Sequence, residues 1–270
     1  MLVWHLAWDN SDFIAEPTSL LCVVARAVGH SGRLPSIGFR AMHPEPGKCV
    51  WVVIAAYNEA RVIEQVVAGV RRRGYSVVVV DDGSSDATAA IAEQAATAVV
   101  CHPVNLGQGA ALQTGIEFAL GQGADFIVTF DADGQHRADD IAALLRALTE
   151  NKADFALGSR FLGASIDLPR SRRWLLKAAT LFTRFTTGLR VSDTHNGLRA
   201  MTRRGASFVA LRQNRMAHAS ELLEQIARSK LRYVEVPVTI EYSAYSLAKG
   251  QKLSDSLTIL VDLSAQRLHR

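Results

Sequence analysis

Asp131 and Asp133 stand two residues apart where an apolar run, Phe126-Ile127-Val128-Thr129-Phe130, gives way to Gly134-Gln135-His136. The run reads as a buried strand. Gly134 lets the chain turn beyond it, so both carboxylates can face one point past the strand's C-terminal end. Such a pair suits a hard divalent cation. Mg²⁺ takes one or two carboxylates and completes its shell with water and substrate phosphate oxygens. A calcium loop fits poorly, since Gln135 occupies the fifth ligand position, His136 replaces the required Gly and Ala142 replaces the terminal Glu.

Other polar clusters follow other apolar runs. Tyr57-Asn58-Glu59 offers a ring beside a carboxylate, a pairing that can stack on a nucleobase and accept its N–H donors. In Asp81-Asp82-Gly83-Ser84-Ser85-Asp86, Ser85 or Asp86 can cap a helix. The adjacent Asp81 and Asp82 repel each other unless a cation or ligand uses them. Asn105-Leu106-Gly107-Gln108-Gly109 opens a helix with glycines that permit close backbone approach, although Leu112 replaces the third glycine of a dinucleotide fingerprint. Gly158-Ser159-Arg160 is expected to bring a guanidinium near the Asp131/Asp133 edge. Ser192 to Met201 reads as a polar loop entering a strand, and Ser220 and Glu221 as first-turn residues of a helix.

The elements that must hold these residues alternate. Strands are expected at 50–55, 76–80, 98–101, 125–130 and 154–157, with helices at 59–73, 86–96, 109–120 and 138–150. Short buried strands alternating with helices imply an α/β fold, a mostly parallel sheet with helices on both faces, which binds ligands at its strands' carboxyl ends. A strand at 233–239 contains Pro237 and belongs near a sheet edge. Residues 1–48 lack periodicity and read as a poorly ordered extension, with at most a short helix around 19–28; residues 1–41 are expected to be dispensable for folding.

Charge is uneven. Residues 1–159 carry 11 Lys+Arg against 18 Asp+Glu, and residues 160–270 carry 19 against 8. An acidic, cation-binding half followed by a basic half suits a phosphate-rich substrate, an anionic membrane surface, or both. No nucleic-acid module is recognisable in the basic half. Arg170 to Phe185 combines Trp174, Leu175, Leu181, Phe182 and Phe185 at helical spacing with Arg172, Arg173, Lys177 and Arg184, the pattern of a helix lying at a membrane interface. No run of 18 apolar residues spans a bilayer. Cys22, Cys49 and Cys101 form no metal-type pair and suit a reducing cytosol, and the eight histidines show no zinc-ligand spacing.

Taken in order, Tyr57-Asn58-Glu59, Asp81-Asp82-Gly83-Ser84, Asn105-x-Gly107-x-Gly109, Asp131-x-Asp133-x-Gln135, Gly158-Ser159-Arg160 and Asp193-x-x-x-Gly197-x-Arg199 resemble the family 2 glycosyltransferases, specifically the dolichyl-phosphate mannose synthase-like, polyprenyl-phosphate group. The resemblance covers about residues 50–265. It implies a GT-A fold over residues 49–270, with a nucleotide-sugar half to about residue 160 and a smaller acceptor half beyond. It also implies that Tyr57, Glu59 and Asp82 contact the nucleotide and that Asp131, Asp133 and Gln135 hold Mg²⁺ or Mn²⁺ and the diphosphate. The resemblance further implies that Arg160 contacts a diphosphate or acceptor phosphate. The chain departs from the family at Ala55, where proline is usual, at Gln108, where lysine is common, and in its C-terminal loop, where Lys249 and Lys252 follow Tyr242 and Tyr245.

The activity so implied is inverting transfer from a UDP- or GDP-linked sugar to a polyprenyl phosphate by a peripheral enzyme on the cytosolic face of a membrane, with a membrane protein as a possible partner. An ionised phosphate nucleophile needs no strong base; it needs a basic cradle, which Arg160, Arg199, Lys249 and Lys252 can supply. A hydroxyl acceptor on a soluble glycan would instead require a base, Asp193 or Glu221. A silent nucleotide-sugar-binding partner of a membrane enzyme is the third alternative.

Overall fold

The computed structural model describes residues 24–27, 47–166, 170–213 and 217–242. Their elements are β1 (Val24–Ala27), β2 (Val50–Ala56), α1 (Ile63–Arg71), β3 (Ser76–Asp81), α2 (Thr88–Ala95), β4 (Ala98–Cys101), α3 (Gln108–Gly121), β5 (Phe126–Asp131), α4 (Asp140–Glu150), β6 (Phe155–Ile166), α5 (Arg170–Thr187), β7 (Arg199–Thr202), α6 (Arg203–Ala206), α7 (Ala217–Ser229) and β8 (Tyr233–Glu241). They form one sheet in the order β1-β4-β3-β2-β5-β7-β6-β8. Strands β4, β3, β2 and β5 run parallel. β7 is inserted antiparallel between β5 and β6, and β6 pairs in parallel with β8.

The central strands are β-branched runs buried on both faces, the expected composition of a parallel sheet covered by helices. Alternate residues therefore feed two cores. Val77 and Val79 join a core with α1 and α4, while Val78 and Val80 join one with α3 and α7. Helix α1 shows the matching logic: Ile63, Val66, Val67 and Val70 recur at helical spacing and are all buried. Each such side chain contributes roughly 1.5–3 kcal/mol on burial.

Three expectations are corrected. The segment expected as a helix near 19–28 contains β1, an edge strand antiparallel to β4. The strand expected to end at Leu157 continues to Ile166 through a bulge between Ser159 and Ala164, opposite Pro237 and Thr239 of β8. Gly163 permits this continuation, because a Cβ there would lie 2.2 Å from the Val238 carbonyl oxygen. The helix expected from Glu59 begins at Ile63, since the Glu59 carbonyl first accepts the N–H groups of Val62 and Ile63 in a turn. Strand β8 lies at the sheet edge, where Pro237 is tolerated.

The topology sets the site. Register pairs Ala56 with Asp81 and Ala55 with Asp131, so the carboxyl ends of β3, β2 and β5 finish in line. Antiparallel β7 enters at that same edge, with Arg199 between Thr129 of β5 and Leu157 of β6.

Candidate active site

Asp131 sits at the centre of this edge. Its Oδ2 lies 2.8 Å from His136 Nε2, and its Oδ1 accepts from Gln108 Nε2 at 3.3 Å. Among the described residues His136 Nδ1 is buried without a hydrogen-bond partner, so Nε2–H is the donor to Asp131. Gly197 closes the cradle from the β7 side; a Cβ there would fall 2.1 Å from Asp131 Oδ2. Thr129 fixes that approach by donating its hydroxyl to the Gly197 carbonyl at 2.7 Å. Burial opposes ionisation of Asp131. The His136 hydrogen bond, with the fields of His136, Arg199 and His218, nevertheless holds its pKa below the ordinary carboxylate value.

Asp133 behaves in the opposite way. Burial, then the neighbouring Asp131 charge, pushes it up from 3.8 to about 6, while its Oδ1 accepts the Gln135 N–H at 3.0 Å. Two close carboxylates with diverging proton affinities are a site that a divalent cation relieves, so Asp131 and Asp133, with Gln135 beside them, fit the expected metal. Among the described residues no three His, Cys, Asp or Glu side chains form a ready-made cage. The fit therefore leaves most of a metal's shell to substrate and solvent.

The first two strand ends are stitched together. Asn58 takes a left-handed conformation (φ 54°), its N–H donates to Ser84 Oγ at 2.9 Å, and its Oδ1 accepts the Ser85 N–H at 2.9 Å. Asp86 supports α1 and α2 through the Ala60 and Thr88 N–H groups. Tyr57 is 45% exposed and stands beside the buried Glu59 at this edge. Asp81 and Asp82 divide their roles. Asp81 Oδ2 accepts the Ser84 N–H, and its buried Oδ1 has no hydrogen-bond partner among the described residues. Asp82, expected as a nucleotide contact, is turned inward. It is 2.8 Å from His102 Nδ1 and accepts the Leu106 and Gly107 N–H groups at 2.9 and 2.7 Å. His102 Nε2 in turn meets Thr114 Oγ1 at 3.0 Å. The network holds the glycine loop and with it Gln108 at the start of α3.

On the other side of Asp131, Arg160, expected as a diphosphate or acceptor-phosphate contact, is held in a buried network. Its Nε donates to Asp193 Oδ2 at 2.6 Å, Nη1 to the Tyr242 hydroxyl at 2.5 Å and Nη2 to the His195 carbonyl at 2.9 Å. Its backbone N–H also donates to Asp193. The bulge in β6 aims Arg160 inward, and its charge is compensated by a carboxylate that is itself buried. Tyr242, expected in a C-terminal loop, is buried at the end of β8. Glu221 accepts the Arg212 and Gln213 N–H groups and so fastens the loop before α7. His195 is held at about 4 by burial, against Asp193 and with the Arg160 and Arg199 charges, so it is neutral at pH 7. Arg199 is buried and donates to the Thr194 carbonyl at 3.4 Å. Lys249 and Lys252 lie outside the described residues.

Helix α5 packs inward through the buried Thr180 and Thr183 and exposes Trp174 (76%), Leu181 (68%) and Phe185 (89%), flanked by exposed Arg173, Lys177 and Arg184. Leu175 and Phe182, expected on the same apolar face, have no described side-chain placement. Among the described residues no helix is long and apolar enough to cross a membrane.

Sequence reasoning missed His102, His136 and Tyr242. His136 carried a legible signal, five residues beyond Asp131 and just past the glycine turn. His102 carried none, its partner lying 20 residues away, and Tyr242 was read only as part of a C-terminal loop, its partner Arg160 lying 82 residues away.

Comparison with known proteins gives consistent results. Residues 51–209 match the model of glycosyl transferase family 2. The chain is 31% identical over 225 residues to the UDP-N-acetylglucosamine–dolichyl-phosphate N-acetylglucosaminyltransferase of Methanococcus voltae, covering 75% of this chain and 90% of that protein. It is 30% identical over 217 residues to the polyprenol monophosphomannose synthase of Mycolicibacterium smegmatis, covering 76% and 82%. The fold is similar to that of glucosyl-3-phosphoglycerate synthase from Mycobacterium tuberculosis, solved with Mn²⁺ and UDP-glucose. That likeness has a TM-score of 0.64 at 19% identity and covers 84% of this chain and 80% of that one. The shared architecture is the GT-A fold.

Proposed function

Because the chain belongs to glycosyl transferase family 2, we propose that it transfers a sugar from a uridine or guanosine diphosphate donor to the phosphate of a polyprenyl lipid, with inversion at the anomeric carbon. An oxygen of the acceptor phosphate forms the new bond to sugar C1, and the electron pair of the old C1–O bond leaves with the nucleoside diphosphate. Asp131, Asp133 and Gln135 would hold the Mg²⁺ or Mn²⁺, which supplies positive charge for the leaving group.

The observation that carries the reading is the state of the two carboxylates nominated as bases. Asp193 is paired with Arg160, and Glu221 is committed to the Arg212 and Gln213 amides. A hydroxyl acceptor would require one of them to be free for a proton. A phosphate is already ionised and needs only cations. Arg199, buried beside Asp131 and Asp193, is such a cation, and we assign Lys249 and Lys252 to the same cradle.

On the donor side, we assign Tyr57, Glu59 and Asp82 to the nucleotide, and add Asp81, whose buried Oδ1 has no hydrogen-bond partner among the described residues. An acceptor there selects a base with a ring N–H donor, as uracil and guanine have. The outward face of α5 suits the headgroup region of an anionic cytosolic membrane surface, with Trp174, Leu181 and Phe185 entering and Arg173, Lys177 and Arg184 meeting the charges.

The test presents UDP- and GDP-sugars with Mn²⁺ to the full chain, alongside a short polyprenyl phosphate or a soluble sugar acceptor. Product on the lipid phosphate, abolished by EDTA, is expected. Faster glycosylation of the soluble sugar, or full turnover in EDTA, overturns the reading.

A further inference from the structure

Asp131 is held from two sides. His136 Nε2 donates to its Oδ2 from the turn just past β5, and Gln108 Nε2 donates to its Oδ1 at 3.3 Å from the first residue of α3. A carboxylate offers roughly four lone-pair sites, so about two remain for a cation.

Gln108 meets Asp131 from a backbone that is pinned on both sides. Before it, the Leu106 and Gly107 N–H groups are tied to Asp82, which His102 and Thr114 brace from behind. After it, Gly109 packs so closely on the loop before α7 that a Cβ there would lie 2.1 Å from the Gln213 carbonyl oxygen. We propose that Gln108 is a positioning residue for the divalent cation: its amide holds the Asp131 carboxylate in place for the metal and adds no positive charge to compete with it.

The inference rests on the metal reading above, and its physics separates into two effects. A donor on Asp131 restricts the carboxylate's rotation, which favours coordination. Removing such an outer partner from a metal ligand typically costs about 10- to 100-fold in metal affinity. A donor that is itself a cation also cancels the carboxylate's charge, which opposes coordination. The Gln108 amide supplies the first effect without the second.

The experiment uses the full chain with Gln108→Leu and Gln108→Lys, without nucleotide sugar. It reads the Kd for Mn²⁺ from the paramagnetic resonance signal of the free ion, and the melting temperature in EDTA. Gln108→Leu, similar in size but without a donor, should raise the Kd roughly 10-fold. Gln108→Lys keeps a donor for Asp131 but brings a charge, and should raise the Kd at least about 10-fold. In EDTA the lysine variant should melt roughly 2 °C above the wild type, because the ammonium offsets the repulsion between Asp131 and Asp133 by more than a cation costs in the first turn of α3. A weaker metal site in a more stable protein is the signature of the charge effect; loss of a merely structural contact would lower stability.

A Kd for Gln108→Leu within about twofold of the wild type overturns the positioning role. Mn²⁺ binding by Gln108→Lys as tight as the wild type's overturns the part given to neutrality. A wild-type chain that takes up no Mn²⁺ overturns the metal reading and this inference together, whereas a wild type and variants that bind it equally well overturn this inference alone.

Discussion

Asp133→Asn should stabilise the metal-free protein while destroying its response to metal. In the fold Asp133 is pushed up from 3.8 to about 6, chiefly by burial and then by Asp131. Two pK units correspond to about 3 kcal/mol, and partial solvent access trims this to about 1–3 kcal/mol. The sign follows from proton counts. Between about pH 4 and pH 6 the native chain holds a proton on Asp133 that the unfolded chain has released, so stability falls as pH rises through that window and stays lower above it. The asparagine has no such cost. In EDTA at pH 8 the variant should melt roughly 2–12 °C above the wild type, given about 2–4 °C per kcal/mol for a domain of this size. At pH 5 the gap should shrink by about half. Added Mn²⁺ should raise the melting temperature of the wild type, because a ligand of the native state stabilises by mass action, and should leave the variant nearly unmoved. Thermal melts at four pH values, with and without Mn²⁺, are sufficient. A variant less stable than wild type at pH 8, or a gap that does not change with pH, would refute the reasoning.

Gly197→Ala places a Cβ 2.1 Å from Asp131 Oδ2, so it should cost about 1–3 kcal/mol in a denaturant melt and abolish the Mn²⁺ shift. Glu221→Gln should lose about 1 kcal/mol, from weaker bonds to the Arg212 and Gln213 amides, yet keep turnover within about twofold; a hundredfold loss of turnover would make it a base. The pair Trp174→Ser and Phe185→Ser should leave the melting temperature unchanged, since both side chains are exposed, and should abolish sedimentation with anionic vesicles at low salt. Undiminished vesicle binding would remove α5 from the membrane reading.

The parallel part of the fold was legible because its signals are local. Val77 to Val80 is an unbroken β-branched run, and Ile63, Val66, Val67 and Val70 repeat at helical spacing. The order of strands was not legible, since nothing near Arg199 announces that β7 will separate β5 from β6. At the site, the residue types at strand ends were readable but their pairings were not. Nothing near Asp82 announces that it meets His102 and accepts from Leu106 and Gly107, 20 to 25 residues on. Nothing near Arg160 announces its pairing with Asp193, 33 residues on. A carboxylate or guanidinium at a sheet's carboxyl edge has the same appearance in sequence whether it serves a ligand or the fold.

The insertion of β7 also dictates the order in which the molecule can be made. When residue 131 has been synthesised, β5 can already pair with β2, but its other edge stays open until residues 199–202 arrive. Strand β6 emerges in between and runs in the same direction as β5. It is therefore a ready competitor for the vacancy, and a chain that docked β6 there would have to undo that pairing before β7 could enter. Long-range strand pairing of this kind slows folding and leaves unpaired edges exposed to other chains. Asp131 acquires its last wall, Gly197, only when β7 is in place. Nascent chains cut short before residue 199 should thus be both the most prone to aggregate and unable to retain Mn²⁺.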